Sequence, residues 1–76
     1  MKDFDVWVQY RIDHTEKVAT IKSGTAAEAF GIWRESRSDI HRVESKPRQP
    51  YHLVTFAGQN GRLYSRRVTV KEAGSA

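Results

Sequence analysis

Phe4-Asp5-Val6-Trp7-Val8-Gln9-Tyr10-Arg11-Ile12 alternates without a break. Phe4, Val6, Val8, Tyr10 and Ile12 fall on one side of an extended chain, and Asp5, Trp7, Gln9 and Arg11 on the other. Period two over this length defines a strand with one face turned to a core. The rest of the chain has to supply what covers that face. Asp13-His14-Thr15-Glu16 is polar and reads as a turn. Lys17 to Lys22 then returns as a second strand. Folding it back with Ala19 opposite Tyr10 and Ile21 opposite Val8 makes the two apolar faces agree.

The cover comes next. Ser23-Gly24 breaks the strand, and Thr25-Ala26-Ala27-Glu28 is a capping box with Thr25 as N-cap and Glu28 reaching back to it. Ala26, Ala29, Phe30 and Trp33 stand at i, i+3, i+4 and i+7, one stripe of a helix. Arg34 and Arg37 suit its C-terminal dipole, and the helix is expected to end near Ser36–Ser38. Gly31 costs roughly 1 kcal/mol against Ala and is read as a point of close approach to a strand.

Ile40 to Ser45 is a third strand. Lys46-Pro47-Arg48-Gln49-Pro50 is a loop, because prolines do not sit in a central strand. Tyr51 to Ala57 and Arg62 to Val70 are strands joined at Gly58-Gln59-Asn60-Gly61, where Asn-Gly is a hairpin signal. With Asn60 and Gly61 as the two turn residues, Leu53 faces Val68 and Tyr51 faces Val70. The expected fold is α+β, β-β-α-β-β-β: one antiparallel sheet of about five strands with a helix on one face. Residues 1–71 form the single domain and 72–76 a flexible C-terminal tail.

Size and composition narrow the function. A chain of 76 residues buries only roughly 60% of the surface its unfolded form exposes, enough for one thin core but not for a deep pocket. The absence of cysteine excludes disulfide frameworks, cysteine zinc sites and thiol nucleophiles, and fits a reducing compartment. No signal-peptide pattern and no apolar run of membrane-spanning length is present, so a cytoplasmic protein with no membrane partner is expected. His14, His41 and His52 stand apart with no metal-ligand spacing, and no GxSxG elbow or glycine-rich phosphate cradle occurs. The expectation is a non-enzyme with no cofactor and no metal.

Charge is uneven. The formal net charge is +4. Residues 1–39 carry six Lys/Arg against seven Asp/Glu, whereas residues 40–71 carry seven Lys/Arg against the single acid Glu44. Such asymmetry suits an acidic partner, and equally a solvated surface that maintains solubility. On the assumed registers the open sheet face carries Trp7, Gln9, Arg11, Val18, Thr20 and Lys22 from the first hairpin. The second adds His52, Val54, Phe56, Leu63, Ser65, Arg67 and Thr69. Trp7, Arg11, His52, Phe56 and Arg67, with Arg42, Lys46 and Arg48 around the proline loop, are the candidate partner-binding residues. Aromatic and basic groups mixed on a sheet can stack bases and neutralise phosphates, or anchor a flat protein interface. They can also simply pack on one another.

The strand Asp5–Ile12, the strand Lys17–Lys22, the helix entry Ser23-Gly24-Thr25-Ala26-Ala27-Glu28-Ala29-Phe30 and the hairpin around Asn60-Gly61 together resemble the layout of anti-CRISPR proteins. These are small phage-encoded inhibitors of host defence. Some that block type I-F surveillance complexes have a bent antiparallel sheet of about five strands with one helix against it. The likeness spans nearly the whole chain but lies in fold layout, and no binding motif carries over residue by residue. The basic charge departs from the acidic members that mimic DNA. What the resemblance implies is steric occlusion of a host nucleoprotein complex with an acidic surface. A direct DNA- or RNA-binding module is the second reading, and a homodimer with its sheet face buried is the third.

Overall fold

A computed structural model describes all residues except Pro47, Ser75 and Ala76. The elements run β1 (Lys2–Arg11), β2 (His14–Ser23), α1 (Ala26–Glu35), β3 (Ile40–Ser45), β4 (His52–Ala57) and β5 (Leu63–Glu72). The five strands form one sheet in the order β2-β1-β5-β4-β3, and every neighbouring pair is antiparallel. The fold is therefore α+β with the expected element order. β3 pairs with β4 at one edge, and the two hairpins meet where β1 pairs with β5.

Helix α1 starts where its cap predicts. Thr25 is extended (φ −140°, ψ 160°), and its hydroxyl accepts a hydrogen bond from the Glu28 N–H at 3.2 Å. The Glu28 carboxylate takes the N–H of Gly24, one residue before the N-cap, rather than that of Thr25 itself. Behind the cap, buried Ser23 donates to the Thr25 carbonyl at 2.7 Å and locks the strand-to-helix corner. At the other end Ser36 closes the helix by donating to the Trp33 carbonyl. Ala29, Phe30 and Trp33 are buried, whereas Ala26, the first residue of the expected stripe, is exposed. Gly31 is not a point of close approach: a Cβ there would meet nothing within 4 Å.

The helix lies over β2, β1 and β5, and its aromatic side chains reach on to β4. The core joins Val6, Val8, Phe30, Trp33, Val54, Phe56 and Val68, with Val18, Ala19, Ile21, Ile40, Val43 and Val70 packed around it. Among the described residues no helix covers the other sheet face.

Two registers differ from the sequence expectation, with unequal consequences. In the first hairpin Ile12-Asp13 is the turn, because Arg11 pairs with His14. Ala19 thus lies opposite Val6 and Ile21 opposite Phe4. From Phe4 to Val6 the displacement along β1 is even, so Ala19 and Ile21 still face the helix. An irregularity between Val6 and Trp7 turns Val18 toward the core rather than to the open face.

In the second hairpin the displacement is one residue and reverses a whole strand. Asn60 does not take positive φ, which a two-residue Asn-Gly turn would require of it. Instead Gly58 accepts from Gly61, Gly61 alone is left-handed (φ 79°), and Gly58 donates to the Arg62 carbonyl at 2.7 Å. The loop thus has three residues, a turn followed by a glycine bulge. His52 now lies opposite Val68, Val54 opposite Arg66 and Phe56 opposite Tyr64. His52, Val54 and Phe56 consequently face the helix and leave the open face to Leu53 and Thr55. β5 keeps the faces read from its alternation and runs on through Glu72, the first residue of the expected tail.

Candidate functional site

The bare face of the sheet is a mosaic of cross-strand pairs. Trp7 lies between Lys17 on β2 and Thr69 on β5, and Gln9 between Thr15 and Arg67. Next come Leu53 opposite Arg67 and Thr55 opposite Ser65, whose hydroxyls lie 3.1 Å apart. Arg42 and Glu44 on β3 form the far edge. The half-buried indole of Trp7 overlooks a hollow of 500 Å3 lined also by Asp5, Gln9, Thr69 and Lys71.

The acids of this face each stand beside a base or a hydroxyl. Asp3 is opposite Lys22, and Asp5 is opposite both Lys71 and Thr20, accepting from the Thr20 hydroxyl at 2.8 Å. Glu44 is paired with Arg42 at 2.9 Å. Lys17 and Arg67, on either side of the Trp7–Gln9 segment, form no ion pair among the described residues. Arg67 lies over the ring of Tyr51, 4.7 Å from its centroid, which positions the cation without neutralising it.

The candidate residues are therefore sorted by the fold. Trp7, Arg11 and Arg67 share the region where the two hairpins meet. Arg42 belongs to the same face but to the edge strand, with its charge already matched. Lys46 and Arg48 are exposed in the β3–β4 connection, at the end of the sheet opposite Arg11, where Gln49 donates to the Lys46 carbonyl. Pro47 lies outside the described residues.

His52 and Phe56 leave the site altogether. The His52 ring stacks on Phe30 (centroids 3.9 Å, interplanar angle 18°), and its Nδ1 lies 2.6 Å from the Ser45 hydroxyl. Burial pushes its pKa below the ordinary histidine value, because the charged imidazolium would lose water there. Phe56 is 3% exposed and lies between Trp33, edge-on at 6.4 Å, and Tyr64, stacked at 5.4 Å. The one-residue change in hairpin register moves both together.

Two features on the helix side escaped the sequence. Arg37 spans the end of the core, 5.6 Å from the Trp33 centroid and 5.5 Å from that of Phe56. The Asp39 carboxylate holds it there through two hydrogen bonds, which raise the arginine pKa and lower that of the acid. Arg66 lies over Tyr64 at 4.8 Å and Tyr10 at 5.9 Å. The alternation of β5 already placed Arg66 on the helix side, but nothing local identified the rings that receive it.

Among the described residues no group of three or more His, Asp or Glu is placed to hold a metal ion. No helix there is long and apolar enough to cross a membrane. Comparison with protein-family models, curated proteins and solved structures finds no match.

Proposed function

We propose that this chain is a non-catalytic binding protein whose bare sheet face docks on a partner protein, and that it acts by steric occlusion. The anti-CRISPR-like reading supplies the biological form of that activity: a small inhibitor seated on a host complex that handles nucleic acid. The observation that carries a protein partner over a nucleic acid is the mosaic of charge on the face. A phosphate-tracking groove is uniformly basic and interleaved with exposed rings. Here Asp3, Asp5 and Glu44 stand among the bases. Phe56, which would have extended a stacking platform beside Trp7, is buried in the core, and His52 is turned to the helix side against Phe30. A central tryptophan between Lys17 and Thr69, with Arg67 one pair further along and paired polar groups around it, has the composition of a protein interface.

The test has two arms. Fluorescence anisotropy with labelled single- and double-stranded DNA and RNA across a salt series should show only weak, steeply salt-dependent association. Capture from a host lysate should recover a stoichiometric protein partner that Trp7→Ala or Arg67→Glu loses and His41→Ala retains. Micromolar or tighter oligonucleotide binding at physiological salt, lost on Trp7→Ala, would replace this reading with direct nucleic-acid recognition.

A further inference from the structure

The two hairpins part company before they end. Pairing between β1 and β5 stops at Gln9–Arg67. Beyond it β1 continues to Arg11 against β2 alone, and β5 extends back to Leu63 against β4 alone. The split leaves a notch of 320 Å3 lined by Gln9, Tyr10, Arg11, Ile12, Ser65 and Arg66, together with Leu53 and Arg67. Gln9 braces one wall by donating from its side chain to the Ile12 carbonyl at 3.2 Å.

Among the described residues no carboxylate lines this notch. Arg11, Arg66 and Arg67 all border it, and none of the three forms an ion pair among the described residues. Arg66 is held in place in advance. Its guanidinium is flanked by the rings of Tyr10 and Tyr64, and one Nη donates to the Ser65 carbonyl at 3.0 Å. Its Nε is enclosed without a hydrogen-bond partner. A guanidinium restrained in this way, with Arg11 and Arg67 bordering the same notch, is suited to an oxyanion, since little of the Arg66 side-chain entropy remains to be lost on binding.

The apolar surroundings distinguish the source of that oxyanion. The large hydrophobic side chains with substantial exposure are Met1, Tyr10, Ile12, Ile32, Leu63 and Tyr64. Four of these six, Tyr10, Ile12, Leu63 and Tyr64, gather at this end of the sheet, with Ile12 97% exposed. A phosphate backbone gains little from isoleucine and leucine, whereas a folded partner buries them.

We propose that the notch receives an aspartate or glutamate side chain of a partner protein, carried on an apolar segment that covers Ile12 and Leu63. This rests on the reading of the chain as a protein-docking module and names the partner's chemistry. The carboxylate enters between the arginines, and the neighbouring apolar side chains exclude water around the pair.

The experiment is a titration of the isotopically labelled protein with a short peptide alternating leucine and glutamate, followed by amide chemical shifts. The expected result is saturable movement of the Tyr10–Ile12 and Ser65–Arg67 amides. It should weaken about tenfold or more with the glutamine counterpart of the peptide and in Arg66→Gln. Arg11→Gln, on the exposed rim, should also weaken it and guards against a folding defect in the Arg66 variant. No saturable shift at these amides overturns the proposal. So does an oligothymidylate that moves them at lower concentration than the peptide, which would assign the notch to nucleic acid. No host partner is needed and Trp7 is not read, so failure here is separable from failure of lysate capture.

Discussion

Truncating Phe56 to alanine separates the two registers of the second hairpin. Were Asn60-Gly61 a two-residue turn, Phe56 would stand on the bare face and its loss would cost little stability. In the structure Phe56 is 3% exposed, edge-on to Trp33, stacked on Tyr64 and capped by Arg37. Burying such a ring and then deleting it costs about 3–5 kcal/mol, transfer and cavity together. Tyr64 and Arg37 border solvent and can move inward, so the lower end, about 3 kcal/mol, is expected. A domain of this size holds on the order of 4–11 kcal/mol in all, so Phe56→Ala should shift a large part of the urea transition. Leu53→Ala is the control. Leu53 is half-buried on the opposite face, beside Arg67, and its truncation should cost only about 1 kcal/mol. Urea melts followed by tryptophan fluorescence measure both. Were Phe56→Ala to lie near wild type while Leu53→Ala lost about 3 kcal/mol, the three-residue loop and the site built on it would be refuted.

Three further outcomes are expected. Gly31→Ala should raise stability by about 0.5–1 kcal/mol in thermal or urea melts, since its Cβ enters open space and the helix sheds a flexible residue. Gly61→Ala should lower stability by about 1–2 kcal/mol, because φ of 79° suits glycine and the bulge depends on it. Half-buried His52 binds protons less readily in the folded chain than in the unfolded one. Its contribution is therefore present above the ordinary value of 6.5 and fades as pH falls below it. Urea midpoints between neutral and mildly acid pH should drop more in the wild type than in His52→Phe.

Within the described residues, how far the sequence reached depends on how far apart the deciding groups lie. The alternation of residues 4–12 determined β1 and the buried side of Phe4, Val6 and Val8, since each side chain's direction follows from its neighbours, whereas Tyr10 is exposed and Ile12 lies in the turn. The Thr25 capping box and the Ala29-Phe30-Trp33 stripe determined the helix and the face it buries. The first hairpin tolerated a wrong register from Phe4 to Val6, where the displacement was even, but not past the irregularity that turns Val18 to the core and Lys17 to the open face. Tertiary structure decided everything that turned on one residue. Asn60-Gly61 can close a two-residue loop or end in a glycine bulge, and the buried side of the hairpin selects between them. Placing Phe56 under Trp33 and stacking His52 on Phe30 buries aromatic surface that the other register would leave in water. The notch had no local signature either. It arises because β1 and β5 stop pairing at Gln9–Arg67, and the side chains it gathers from the two hairpins are more than forty residues apart in the sequence. Charge counting found the basic second half of the chain, but only the strand order β2-β1-β5-β4-β3 brings Arg66 and Arg67 beside Arg11.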